Sequence, residues 1–148
     1  MSRKNSAFTL VEILIVVIIL GILAAIVIPQ FSQASSDARA NALSSDLQTV
    51  RSQLELYKVQ HLDSYPAAAT FVSLMTSRSN SAGTVGTDPN LFPYGPYLQK
   101  FPTNQFVSNT NAALVETGTS TPGAGNYGWY FNTSTGKFSP DDDAHSGL

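Results

Sequence analysis

The chain has 148 residues, which is enough for one modest domain with an appended element. Its formal net charge is −2, so no strongly basic surface points to nucleic acid as a partner. Cysteine is absent, which excludes disulfides and thiolate metal sites.

The chain opens with a short basic segment followed by a long apolar run. Arg3 and Lys4 precede residues 13–28, which are 16 consecutive apolar or glycine residues. Counted from Phe8, the run is 21 residues long, or about 30 Å as a helix, which is enough to cross a bilayer. Positive charge before such a run predicts that the N-terminal end stays in the cytoplasm. Pro29 lacks a backbone donor and predicts that the helix ends or kinks there.

A second helical pattern follows the proline. No glycine or proline occurs in residues 34–61, and one apolar stripe recurs at spacings of four and three, through Leu43, Leu47, Val50, Leu54 and Tyr57. Such a stripe is typical of an amphipathic helix that packs on a folded domain. We expect the helix to end before Pro66, because the residue preceding a proline is disfavoured in helical conformation.

The remainder of the chain predicts a short helix and a small sheet. Residues 67–77 are expected to form the second helix, and residues 112–118, 126–132 and 136–139 read as antiparallel strands. Five aromatic residues in between are predicted to cover the sheet rather than to bind a ligand: Phe92, Tyr94, Tyr97, Phe101 and Phe106.

The N-terminal run has three interpretations. It is a secretory signal peptide cleaved after Ala34, a simple membrane anchor, or a segment with a further role. Glu12 separates them, because an ionisable residue inside a membrane segment costs about 2.5–3.5 kcal/mol at the centre and usually has a partner. Neither the signal peptide nor the simple anchor supplies a partner for the Glu12 carboxylate.

The third interpretation comes from a resemblance. The leader with Arg3 and Lys4, the small residue Ala7, and the sequence FTLVE from Phe8 to Glu12 resemble the N-terminus of type IV prepilins and type II secretion pseudopilins. The resemblance implies that a membrane-embedded prepilin peptidase cuts between Ala7 and Phe8 and then N-methylates Phe8. It also implies a helix bend at Gly21 and Pro29.

The same resemblance gives Glu12 an assembly role. In the family, this glutamate is thought to pair with the terminal amine of the adjacent subunit during filament assembly. Each charge alone is costly in a low-dielectric medium, and each lowers the cost of the other when the two pair. A contact between Glu12 and the amine of its own chain is the alternative.

The remaining titratable residues carry few patterns. His61 and His145 lie in no metal-ligand or catalytic-triad pattern, and we expect His61 to be solvated or to cap a helix end; no enzyme is predicted. Asp141, Asp142 and Asp143 form either a solvated acidic tail or a calcium site, since calcium takes several oxygen ligands. The resemblance supports calcium, because G-type major pseudopilins bind it near their C-terminal loop. No other cofactor is expected.

These observations predict an α+β fold, in which a long bent N-terminal helix with a transmembrane first half packs on a small antiparallel sheet, as in pilins. The expected divisions are a leader at 1–7, a membrane and assembly helix at 8–30, and a periplasmic domain at 31–148 whose helix reaches about residue 62.

The expected function is that of a type II secretion pseudopilus subunit, which forms a helical homopolymer. A type IV pilus subunit and a membrane-anchored binding domain that does not polymerise remain alternatives. Expected partners are other copies of the chain, the prepilin peptidase, the inner-membrane assembly platform and, before assembly, the lipid bilayer. The expected location is the bacterial inner membrane, with the N-terminus cytoplasmic, and then the filament.

Overall fold

The fold was obtained as a computed structural model, which describes residues 9–148. The chain divides into two compact units, of which one ends at Ala40 and the other is Asn41–Leu148. Helix α1 spans Leu10–Gln60, 51 residues, and therefore belongs to both. Pro29 lies inside α1, so the prediction that the helix could end there is wrong, and the bend at Gly21 and Pro29 stays a prediction.

The second half of α1 supplies one wall of the core of the domain. All five residues of the apolar stripe are buried, as the spacing predicted: Leu43, Leu47, Val50, Leu54 and Tyr57. They pack with Phe71, Leu74 and Met75 from the short helix α2 (Phe71–Thr76), which follows a single turn of 3₁₀ helix at Ala68–Thr70. The helix end before Pro66 and the second helix are thus confirmed.

The strands of residues 9–148 form two small sheets. Strands β1 (Arg78–Ser79) and β2 (Val85–Gly86) make an antiparallel pair, and β3 (Val115–Gly118), β4 (Trp129–Asn132) and β5 (Phe138–Pro140) make a three-stranded sheet with β4 in the centre. The α+β class is confirmed. One pairing differs from the expected antiparallel arrangement, because β3 runs parallel to β4 while β4 and β5 are antiparallel.

The β3–β4 loop, residues 119–128, makes the parallel pairing possible. A two-residue hairpin would force the strands antiparallel, whereas a longer connection returns the chain to the same end of the sheet. Gly128 at the end of the loop lies against the main-chain carbonyl of Ala112, and a Cβ at this position would overlap that carbonyl. The close approach therefore requires glycine.

Aromatic side chains fill the space between the helices and the three-stranded sheet. Phe71 packs against Phe131 and Phe138, with ring centroids 5.1 and 6.0 Å apart, and Trp129 stacks on Phe138 at 5.3 Å. The Trp129 indole donates a hydrogen bond of 2.9 Å to the carbonyl of Pro102, so its polar edge is satisfied. Of the five aromatics predicted to cover the sheet, Tyr97 and Phe101 are in the core.

Candidate functional site at the start of helix α1

The first turn of α1 is closed by a reciprocal pair of residues, Thr9 and Glu12. Oε2 of Glu12 accepts hydrogen bonds from the main-chain N–H and from the hydroxyl of Thr9, both at 2.8 Å. The Thr9 oxygen accepts the main-chain N–H of Glu12 at 3.2 Å. This arrangement is a capping box, in which each side chain satisfies a backbone donor that the helix itself leaves unpaired.

The capping box gives the Glu12 carboxylate a partner within its own chain. A terminal amine is the only partner predicted for Glu12 from the sequence, although the pattern Thr-x-x-Glu at residues 9–12 is the signature of this cap. Both bonds converge on Oε2, and no donor within residues 9–148 reaches Oε1. The second oxygen is therefore the atom that a further donor would meet.

The apolar run after the cap is uncovered on every face. The large apolar side chains between Leu10 and Ile28 are each 45 to 81% exposed, and Phe31 is exposed as well. Within residues 9–148, α1 is the one helix long and apolar enough to cross a membrane. An exposed apolar surface of this size marks a membrane or protein interaction site.

The cleavage and methylation residues Ala7 and Phe8 lie outside the described residues, so processing stays a prediction. Gly21 sits in the apolar run, where a Cβ would meet nothing within 4 Å. The structure thus brings together one part of the predicted N-terminal site, Glu12, with a residue that had not been predicted, Thr9.

The aspartates of the predicted calcium site do not converge. Asp141 and Asp142 are buried and Asp143 is exposed. No group of three or more His, Cys, Asp or Glu side chains within residues 9–148 is placed to hold a metal ion. Because two of the three carboxylates are buried, a wholly solvated acidic tail does not describe this segment either.

His61 caps the end of α1, but it is buried rather than solvated. Its ring is 2% exposed and stacks on Tyr57 with ring centroids 3.7 Å apart. Nδ1 lies 2.9 Å from the carbonyl of Tyr57, and Nε2 lies 3.0 Å from the hydroxyl of Ser79. A carbonyl only accepts, so Nδ1 carries a proton, and Nε2 lies within hydrogen-bond distance of the Ser79 hydroxyl.

The pair of His61 and Ser79 has the distance of a base and a nucleophile, but its burial prevents that chemistry. Ser79 is fully buried, and its main chain exchanges two hydrogen bonds with that of Tyr94 in an isolated antiparallel bridge. A nucleophile needs room for a substrate carbonyl about 3 Å from its oxygen. The geometry therefore indicates a satisfied core histidine.

Comparison with known proteins identifies the class. Residues 2–28 match the family model described as the prokaryotic N-terminal methylation motif. The type II secretion system core protein G of Pseudomonas aeruginosa is 32% identical over 100 residues, which cover 68% of this chain and 67% of the relative. The proteins of the same name from Dickeya chrysanthemi and Aeromonas hydrophila are 29 and 28% identical, and the matches cover 63 and 66% of their lengths. No solved structure matches the chain.

An apolar, capped N-terminal helix and a small α+β domain, together with these matches, define a pseudopilin, the structural subunit of a type II secretion pseudopilus. The chain belongs to the family of the type II secretion system core protein G. The relatives favour the secretion pseudopilus over the surface pilus that the sequence left as an alternative.

Proposed function

We propose that the chain polymerises through its apolar N-terminal helix into a filament that moves proteins outward through a type II secretion system. The observation that carries the proposal is the combination at one helix end: a capped carboxylate, Glu12, followed by a helix whose apolar side chains are exposed on all faces. Such a surface is stable only in a bilayer or against other apolar helices. A subunit that moves from the membrane into a filament is surrounded first by the bilayer and then by the apolar helices of other subunits.

The proposed path starts in the inner membrane. The leader 1–7 stays on the cytoplasmic side, the helix at 8–30 crosses the bilayer, and residues 31–148 form the periplasmic domain. A prepilin peptidase would cut between Ala7 and Phe8 and methylate the new amine of Phe8. The assembly platform of the inner membrane would then pass the subunit into the filament.

Glu12 is proposed to guide this assembly through its charge. In the isolated subunit, Thr9 donates to Oε2 and lowers the cost of the carboxylate in an apolar medium. Oε1 would accept from the Phe8 amine of a neighbouring subunit, and this pairing would set the axial offset between the two helices. The capping box thus makes the lone carboxylate tolerable until a partner arrives.

A purely structural role fits the two histidines of the chain. His61 and Ser79 are enclosed, and His145 is bound to the Asp142 carboxylate. We therefore propose no catalytic activity and no cofactor for this chain.

The experiment uses a strain that lacks its own copy of this subunit and two variants that separate charge from capping. Glutamine serves in a capping box as well as glutamate, so Glu12→Gln keeps the cap and removes the charge. Thr9→Val removes the hydroxyl half of the cap, keeps the main-chain N–H bond to Oε2 and keeps the charge. We expect Glu12→Gln to be inserted and cleaved, with a mature mass that begins at methylated Phe8, but to form few filaments and restore little secretion. Thr9→Val should retain part of the filament formation and part of the secretion.

Two controls make the result interpretable. Glu55→Gln makes the same chemical change at an exposed position of the same helix and should restore secretion fully. Co-expressed wild-type subunits should partly rescue Glu12→Gln, because its amine still meets a wild-type glutamate. Normal filaments from Glu12→Gln alone would reduce Glu12 to a helix cap. Processed wild-type chains that form no filament would favour the anchored binding domain, and filaments without restored secretion would favour the surface pilus.

A further inference from the structure

The C-terminal segment raises the question of what holds the β3–β4 loop. The family resemblance implies calcium near this place, and a calcium site takes six to eight oxygen ligands. The loop itself, residues 119–128, has the sequence TSTPGAGNYG and contains no acidic residue. The next acidic residues along the chain are Asp141, Asp142 and Asp143.

Main-chain N–H groups of the loop already occupy most of the hydrogen-bond acceptor positions of the Asp141 carboxylate. Oδ1 accepts the main-chain N–H groups of Gly123 at 2.9 Å and Ala124 at 3.3 Å, and Oδ2 accepts that of Tyr127 at 3.2 Å. A carboxylate has about four acceptor positions, so three of them are in use. The residue is 0% exposed, which leaves no path for the waters that usually complete a calcium shell.

Main-chain bonds join the same two segments. The N–H of Gly125 donates to the carbonyl of Asp141 at 2.7 Å, and the N–H of Asp141 donates to the carbonyl of Gly128 at 3.2 Å. Gly123 and Gly125 have φ angles of +111° and +69°, which residues with a Cβ rarely adopt. These glycines allow successive N–H groups to turn towards one point, as in the anion-binding concavities called nests.

The carboxylate oxygens of Asp142 also accept hydrogen bonds from the protein, from donors other than those of the loop. Its Oδ2 accepts the side-chain amide of Asn104 at 2.9 Å, and its Oδ1 accepts the main-chain N–H of His145 at 3.1 Å and contacts the ring nitrogen Nδ1. The donors around both buried carboxylates present the positive ends of their dipoles. A cation at these oxygens would be repelled by them, so the residues present do not fit a calcium ion.

We propose that Asp141 is the internal anion that closes the β3–β4 loop, so that the loop is ordered without calcium. The side chain and main chain of one residue collect N–H groups from Gly123, Ala124, Gly125 and Tyr127. The negative charge is stabilised by these dipoles, and in return it fixes the conformation of the loop. The acidic segment is thus part of the fold rather than a ligand set.

The test uses the full chain, purified in detergent. The melting temperature of the wild type is measured with excess chelator and with about 5 mM calcium, which exceeds the roughly 10⁻³ M dissociation constants of the weakest extracellular calcium modules. We expect the same melting temperature in both, because binding to the folded state alone would raise it. The loop should also resist limited proteolysis equally in both conditions.

Variants then locate the anchor. Asp141→Asn places an amide donor among the N–H donors and should lower the melting temperature by about 4 °C or more, with faster cleavage within residues 119–128. Asp143→Asn removes the same charge from an exposed neighbour and should change neither measurement.

A calcium-induced rise in the melting temperature of the wild type would overturn the proposal, and this measurement needs no variant to fold. Equal melting and equal loop cleavage in Asp141→Asn and wild type would overturn it as well.

Discussion

Tyr97 shows how one enclosed hydroxyl makes stability depend on pH. Its ring is buried against Tyr57, and its hydroxyl donates a short hydrogen bond of 2.6 Å to Oε1 of Gln60. Burial, with a smaller contribution from the neighbouring Tyr57, raises the pKa of Tyr97 from 10.0 to about 12. Burial also raises the pKa of Tyr57. Both phenols therefore stay neutral in the folded state at a pH where they would ionise in the unfolded chain.

The sign of the effect follows from proton binding. Below pH 10 the phenol of Tyr97 is neutral in both states, and the stability is fully present. Between pH 10 and about 12 the unfolded chain releases its proton first, so the free energy of unfolding falls by up to about 1.4 kcal/mol per pH unit. We expect Tyr97→Phe to lose about 1 kcal/mol at pH 8 with the Gln60 hydrogen bond, but to show a shallower alkaline fall.

Melting temperatures of the purified chain between pH 8 and pH 11 measure this difference. Tyr127→Phe removes the hydroxyl of a partly exposed tyrosine and should follow the wild-type curve. An unchanged alkaline slope in Tyr97→Phe would mean that this phenol does not link stability to pH.

Single residues differ in how far the sequence predicts their role. The pairing of Thr9 and Glu12 is local, and four consecutive residues contain its sequence pattern, so it could have been predicted. The burial of His61 could not, because Ser79 and Tyr97 reach it from distant parts of the chain. That it caps the helix end was one of the two roles predicted, and the carbonyl it caps, that of Tyr57, lies one turn away.

At the scale of elements, helix α1 follows directly from its pattern. The recurrence of large apolar residues every three or four positions puts them on one face, and that face is the one buried in the domain. The sheet was less predictable. The three strand segments lie where alternation and turn residues predict them. The direction of β3 relative to β4 follows the path of residues 119–128, which hydrogen-bond to Asp141, and contacts between such distant residues cannot be read from the local sequence.

Two leucines on this helix provide a matched test of the packing. Leu47 is 2% exposed and Leu56 is 44% exposed. Leu47→Ala should lower the free energy of unfolding by about 2–5 kcal/mol, because it removes methyl groups from a closed core. Leu56→Ala should change it by less than about 1 kcal/mol, since leucine and alanine have similar helix propensities.

Denaturant titrations of the two variants, monitored by tryptophan fluorescence of the buried Trp129, give both values. Equal losses in the two variants would contradict the assignment of the buried face.

At the scale of the whole molecule, the two units differ in what surrounds their apolar side chains. The part of α1 before Ala40 exposes nearly all of them, whereas Asn41–Leu148 encloses a continuous core of aromatic and aliphatic residues. The exposed apolar residues of the second unit are fewer, among them Val59, Leu62 and Leu91. This asymmetry was visible in the sequence, because it is a difference in composition.

We therefore expect residues 32–148 to fold as a soluble monomer without the apolar run. Size-exclusion chromatography in buffer without detergent should give one monomeric peak, and circular dichroism should show a cooperative melt. The full chain is the control and should require detergent. Aggregation of the fragment, or a melt without cooperativity, would show that the apolar helix is needed for folding.

The loop anchored by Asp141 also has a consequence for the order in which the protein is made. A polypeptide is synthesised from its N-terminus, so residues 119–128 emerge before the residue that holds them. A chain that stops at residue 140 contains the residues of strands β1 to β5 but lacks the carboxylate that accepts the N–H groups of the β3–β4 loop. A chain that reaches residue 141 can close the loop. We therefore expect a subunit truncated before Asp141 to be cleaved within residues 119–128 faster than the full chain.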